Sequence, residues 1–222
     1  MGYWIDLDTL HGPVRAWRAE PAGPSRGAVV VIQEIFGLDA HIRSVADRVA
    51  AAGFVALAPA PFDVVERGVE FSYAQDSYPR ARALATELGF DRAVDVMSAA
   101  TDLLQFEGLR VGVVGFCWGG TLAFLCNTRL GLPVVDYYGA RSVPFLDEPM
   151  RAPLLCHFGE RDASIPADAV ELHRQKQPQA QVFVYPGAGH AFNRDADIHA
   201  YDAPSAARAW QRTTDFLAEN LR

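Results

Sequence analysis

The sequence predicts an α/β fold: a mostly parallel central sheet with helices on both faces. Three observations carry that expectation. Apolar runs at 28–32 and 54–58 read as strands buried on both sides, and 134–138 reads as a further strand. Segments whose apolar residues recur at helical spacing lie between such runs, as crossover helices do between parallel strands. One run then passes through Gly115-Phe116-Cys117-Trp118-Gly119-Gly120 straight into an apolar helical pattern, which makes a strand–turn–helix unit.

Taken in order, residues 3–9 and 14–19 around Gly12-Pro13 read as a short hairpin, and 21–26 as a loop. The first buried strand is 28–32. Positions 42, 45, 46, 49 and 50 line one face of a helix over 40–52, which Gly53 stops. Strand 54–58 gives way to Pro59 and Pro61 and an irregular stretch to about 77, long enough to suggest an active-site cover. Helices are expected over 79–89 and 91–105, the second with Val94, Met97, Thr101 and Leu104 on one face. The nucleophile strand spans 110–116 and its helix 119–130. Strands follow at 134–138, 153–158 and 181–185, with a helix over 166–175 carrying proline in its first turn. A last helix, 204–221, turns Trp210, Leu217 and Leu221 inward.

A chain of 222 residues fits one domain over 1–222 and can bury a core without staples. The net charge of −7 and the lack of any basic block argue against nucleic acid or an anionic membrane as partner. Three cysteines cannot all pair, and their spacing fits no metal site, so none is expected. The N-terminal stretch carries no secretory pattern, and no apolar run reaches the length of a membrane span. The expectation is a reduced, cytoplasmic monomer acting on a small molecule.

Glu34, Cys117, Asp162 and His190 each follow a strand, where such sheets collect functional residues. Cys117 stands where G-x-S-x-G turns carry serine. The glycines let strand and helix approach, and the helix start favours a thiolate. An imidazole can take the thiol proton and return it to a leaving oxygen, while a carboxylate fixes the imidazole tautomer. The chain order nucleophile, acid, histidine is that of α/β-hydrolases. His11, His41, His173 and His199 read as hairpin or helix surface and His157 as strand interior, which leaves His190. Asp162 could instead end a strand or cap a helix, and Glu34 could be an ordinary loop acid. Asp136 lies within a strand and Asp168 within a helix.

From about residue 26 to 220 the chain resembles the dienelactone hydrolase (carboxymethylenebutenolidase) family of α/β-hydrolases. The resemblance rests on Gln33-Glu34-Ile35-Phe36-Gly37, the Gly115–Gly120 turn, Tyr137-Tyr138-Gly139, Gly159-Glu160-Arg161-Asp162 and Gly187-Ala188-Gly189-His190-Ala191-Phe192. It implies a triad of Cys117, Asp162 and His190, with Glu34 restraining the resting thiol. It implies an oxyanion hole from the backbone N–H groups of Ile35 and Trp118. Arginines would hold a substrate carboxylate: Arg194, with Arg80 or Arg82 and Arg80 preferred. The implied reaction is cofactor-free hydrolysis of an activated ester, foremost an enol-lactone such as dienelactone, through a thioester acyl-enzyme. The alternatives are a broad carboxylesterase or thioesterase on the same machinery, or a non-catalytic ligand-binding relative. Two departures bear on the pocket: Ala58-Pro59-Ala60-Pro61-Phe62 lacks the family's acidic and tyrosine residues, and Trp118 replaces the usual leucine.

Overall fold

The segments read as strands at 28–32, 54–58 and 134–138 form strands within a residue of those bounds. The structure, a computed structural model, describes residues 2–221, which divide into two compact units, 2–112 with Leu221, and 113–220. In the first unit the strands are β1 (Tyr3–Leu7), β2 (Val14–Ala19), β3 (Ala28–Ile32) and β4 (Val55–Pro59). They lie in the order β1-β2-β4-β3, antiparallel at β1/β2 and β2/β4 and parallel at β3/β4. Every residue of β3 and β4 is buried, as continuous apolar strands covered on both faces require.

Helix α1 (Ala40–Ala51) begins at Asp39, whose side chain accepts the Ile42 N–H at 2.9 Å. Its inward face is the expected set at 42, 45, 46, 49 and 50, with His41 added. Helices α2 (Ser77–Leu88) and α3 (Phe90–Phe106) meet at Gly89, and Val94, Met97, Thr101 and Leu104 are buried as the spacing indicated. The stretch between β4 and α2 is irregular apart from one short 3₁₀ turn, Pro61–Val64.

The second unit takes up β5 (Val111–Phe116) from its third residue, and adds β6 (Val134–Tyr137), β7 (Leu154–Gly159) and β8 (Gln181–Tyr185), paired in that order and all parallel. Its helices are α4 (Trp118–Leu125), α5 (Ala167–Lys176) and α6 (Ala203–Asn220). The helix expected over 119–130 is α-helical only to Leu125 and then widens into a π turn, Cys126–Leu130, closed by left-handed Gly131. There Asn127 binds the carbonyls of Leu132 and Ala152 through Nδ2 at 3.0 and 2.9 Å. Pro166 is the N-cap of α5 with extended ψ, one residue outside the helical turn predicted to contain it. In α6 the buried face is Ser205, Ala206, Ala209, Thr213, Phe216 and Leu217, with Trp210 only half-buried and Leu221 past the helix end.

Strand alternation sorts this unit's interior into two layers. Phe116, Tyr137 and His157 share a register row facing α6, where the Tyr137 hydroxyl and His157 Nε2 lie 2.7 and 3.2 Å from Thr213 Oγ1. Gly115, Asp136 and Cys156 form the opposite row, on the side of α4. Helices therefore cover both faces.

Candidate active site

Cys117 sits at the sharpest point of the strand–turn–helix. Its φ of 56° is left-handed, a conformation that costs a non-glycine residue on the order of 1–3 kcal/mol and persists only when its surroundings over-determine it. Its N–H donates to the Tyr137 carbonyl at 2.9 Å, and its own carbonyl accepts from Gly120 and Thr121, so α4 starts directly beneath it. Close approach is possible because residue 115 has no side chain: a Cβ there would fall on the Gly119 carbonyl and lie 2.9 Å from the Ala123 methyl. Gly115→Ala is therefore expected to destabilise the protein by about 1–3 kcal/mol and to displace the sulfur. Urea unfolding beside ester turnover measures both effects.

Three side chains converge in this unit. His190 Nε2 lies 3.1 Å from Cys117 Sγ, and His190 Nδ1 lies 2.6 Å from Asp162 Oδ2. Asp162 is 2% exposed, and its other oxygen accepts the Ser164 N–H at 2.8 Å. Burial by itself would lower the His190 pKa. The opposing sulfur and the Asp162 carboxylate outweigh it and hold the imidazole well above the ordinary histidine value. The site is thus built to carry a proton on nitrogen facing sulfur.

The loops that carry Asp162 and His190 are bonded to each other. Arg161 donates its N–H to the Ala188 carbonyl at 2.8 Å, Glu160 donates to Tyr185 at 3.0 Å, and Gly187 donates to the Glu160 side chain at 2.8 Å. The loop after β7 is in this way bonded to the loop after β8, and Asp162 meets His190 across the join. Ala191 (φ 60°) and Tyr138 (φ 46°) are also left-handed, so all three such non-glycine residues among those described lie in or beside this cluster. The Tyr138 ring packs edge-on at 5.2 Å from the His190 ring. Sequence reasoning gave Tyr138 no role. Its signal was the Tyr137-Tyr138-Gly139 string just past a strand.

The remaining predicted residues fall as follows. Glu34 is 1% exposed and Ile35 half-buried, both just past β3 in the first unit. Trp118 is the first residue of α4. Arg194 is 3% exposed, with its guanidinium 3.2 Å from Asp197. Arg80 and Arg82 are exposed on α2, Arg80 paired with Glu66 and Arg82 over the Tyr78 ring at 5.8 Å.

His41 and His173, expected on helix surfaces, are 3% and 2% exposed. A histidine on an apolar helix face packs inward when a partner is in reach, and His173 Nδ1 lies 2.7 Å from the Ala169 carbonyl. His157 is pushed down to about 3 by burial and Arg212, which makes it a neutral link between Tyr185 and Thr213. Among the described residues no group of three or more His, Cys, Asp or Glu could hold a metal ion, and no helix is long and apolar enough to cross a membrane.

A family model described as "Dienelactone hydrolase family" matches residues 14–221. The chain belongs to the dienelactone hydrolase family. A "Putative carboxymethylenebutenolidase" of Synechocystis is 32% identical over 94% of this chain and 93% of that protein. A "Probable 2-oxo-3-(5-oxofuran-2-ylidene)propanoate lactonase" of Bradyrhizobium is 33% identical over 98% and 94%. Among solved structures, a "Putative Dienelactone Hydrolase" from Klebsiella pneumoniae superposes with a TM-score of 0.87 at 28% identity, covering 99% of this chain and 98% of that one. As a dienelactone hydrolase family member the protein has the α/β-hydrolase fold and is a carboxylic ester hydrolase.

Proposed function

We propose that the protein hydrolyses activated esters, enol-lactones foremost, with Cys117 as nucleophile, His190 as base and acid, and Asp162 as orienting carboxylate. The observation that carries this reading is the continuous contact from Sγ through the imidazole to the Asp162 carboxylate. His190 takes the thiol proton as sulfur adds to the ester carbonyl. The tetrahedral oxyanion is held by the backbone N–H groups of Trp118 and Ile35, donors of a kind worth about 2.7–4 kcal/mol each. The carbon–oxygen bond breaks, and His190 gives its proton to the departing enolate oxygen, which leaves a thioester. Water, losing a proton to His190, then attacks the thioester. The thiolate departs and recovers the proton, and the acid is released. Glu34 has the role of restraining the resting thiol.

A lactone bearing a carboxylate would use Arg194, with Arg80 or Arg82, as its anchor. The name of the Bradyrhizobium relative, a lactonase for a substrate with a carboxylate, supports that class. The expected result for Arg194→Ala is a KM raised about tenfold or more for dienelactone, the loss of one charge-assisted contact, with little change on p-nitrophenyl acetate. Equal losses on both substrates would remove Arg194 from substrate binding. One observation favours a second reading. Arg194 and Arg80 already pair with Asp197 and Glu66, so their charge is answered within the protein, as suits a carboxylesterase for neutral esters. Turnover of dienelactone measured beside p-nitrophenyl acetate separates the two. No burst of product from either would leave only a non-catalytic binding role.

A further inference from the structure

Asp136 is a charged residue type in the middle of Val134–Tyr137, a strand whose every residue is buried. Its side chain is 0% exposed. One oxygen, Oδ1, accepts the Gly139 N–H at 2.8 Å, while Oδ2 has no hydrogen-bond partner among the described residues. Burying a carboxyl this way is expensive unless it stays neutral. Burial does push its pKa up to about 7 against the pull of the Gly139 N–H.

Room for this carboxyl is made by two glycines from different elements. A Cβ on Gly120, in the first turn of α4, would fall on Oδ1. A Cβ on Gly139 would lie 2.5 Å from Oδ1 and 2.6 Å from Oδ2. The group is thus clamped between the helix that starts at the nucleophile and the turn that follows β6.

That turn makes two contacts with the candidate site. The Tyr137 carbonyl accepts the Cys117 N–H, and the left-handed Tyr138 sets its ring against His190. We propose that Asp136 is a positioning residue: by closing the Tyr137-Tyr138-Gly139 turn beneath Gly120 it fixes both the main chain that presents Cys117 and the ring that backs His190. The inference rests on Cys117 being the nucleophile. Few titratable groups face the carboxyl. The β5 neighbour in register is Gly115, α4 carries no ionisable side chain, and β7 contributes Cys156, whose thiol is pushed up by burial and by Asp136 itself. Tyr137 and Tyr138 are its chain neighbours. Above about pH 7 the carboxyl gains a charge with one oxygen unanswered, and the turn it closes is weakened.

The test compares wild type, Asp136→Asn and Asp136→Ala on p-nitrophenyl acetate from pH 5.5 to 9, with active sites counted by iodoacetamide labelling of Cys117. Asp136→Ala is expected to lose about tenfold or more in kcat per labelled site, the effect of one buried donor left unpaired, with KM within about twofold. Asp136→Asn keeps the acceptor for Gly139 and is expected to recover kcat to within about threefold at pH 6. The decline of wild-type kcat above pH 7 should be lessened in Asp136→Asn. Wild-type kcat per site in the alanine variant, no rescue by asparagine, or superimposable pH profiles for wild type and Asp136→Asn would each overturn the inference. A wild-type protein whose Cys117 resists labelling and which turns over no ester overturns the nucleophile reading, and this inference with it. Reactive Cys117 beside an unaffected Asp136→Ala overturns this inference alone.

Discussion

Cys117→Ala is expected to remove ester turnover, lowering kcat by at least about 10,000-fold, because losing a nucleophile costs nearly as much as losing the whole constellation. The folded protein should survive the change. Alanine accepts the left-handed conformation no worse than cysteine, and the sulfur contributes one polar contact in a half-buried position. The variant also reports on His190. Part of what holds that imidazole above its ordinary pKa is the group opposite it, so its titration should move down in Cys117→Ala. Proton NMR of the ring follows this directly. Unchanged turnover in the variant would end the nucleophile assignment. Unlabelled Cys126 and Cys156 serve as internal controls, since burial pushes both thiols up and keeps them inert to alkylation.

Asp162→Asn should cost about 10,000-fold in kcat, the loss seen when an orienting carboxylate becomes an amide and the imidazole tautomer is no longer specified. Geometry should be retained, because the asparagine carbonyl can still accept the Ser164 N–H. Stability carries a second signature. The folded-state pKa of His190 is raised above its unfolded value near 6.5, so its stabilising contribution is complete below about pH 6.5 and fades as pH rises through the folded value. Removing the Asp162 carboxylate lowers that folded value, and the fall in stability across the same pH range should shrink. Urea melts at pH 6 and pH 9 for both proteins measure the difference. An identical slope in both would show that the Asp162 contact does not set the charge on His190.

The strand–turn–helix at Cys117 was legible because its signal is local: apolar run, glycine, thiol and helical spacing lie in consecutive residues. His190 and Asp162 were legible for the same reason, each lying directly past an apolar strand. What was not legible depends on how side chains turn and loops close, over short and long separations alike. His41 and His173 read as surface because polarity suggests exposure, yet their places on α1 and α5 put them inside. Asp197 as the partner of Arg194, and Glu66 as the partner of Arg80, follow from how loops close rather than from periodicity. The widening of α4 into a π turn answers the carbonyls around Asn127, a need that no sequence pattern announces.

The backbone bonds between the loops after β7 and β8 have a consequence for how such an enzyme can change. Asp162 and His190 are carried by loops tied together in two ways: the main-chain bonds from Glu160 and Arg161 depend on no side chain, whereas the bond from the Gly187 N–H needs the Glu160 carboxylate, and Gly187 itself is left-handed. Substitutions on surfaces away from these two loops can therefore leave the pairing of Asp162 with His190 in place.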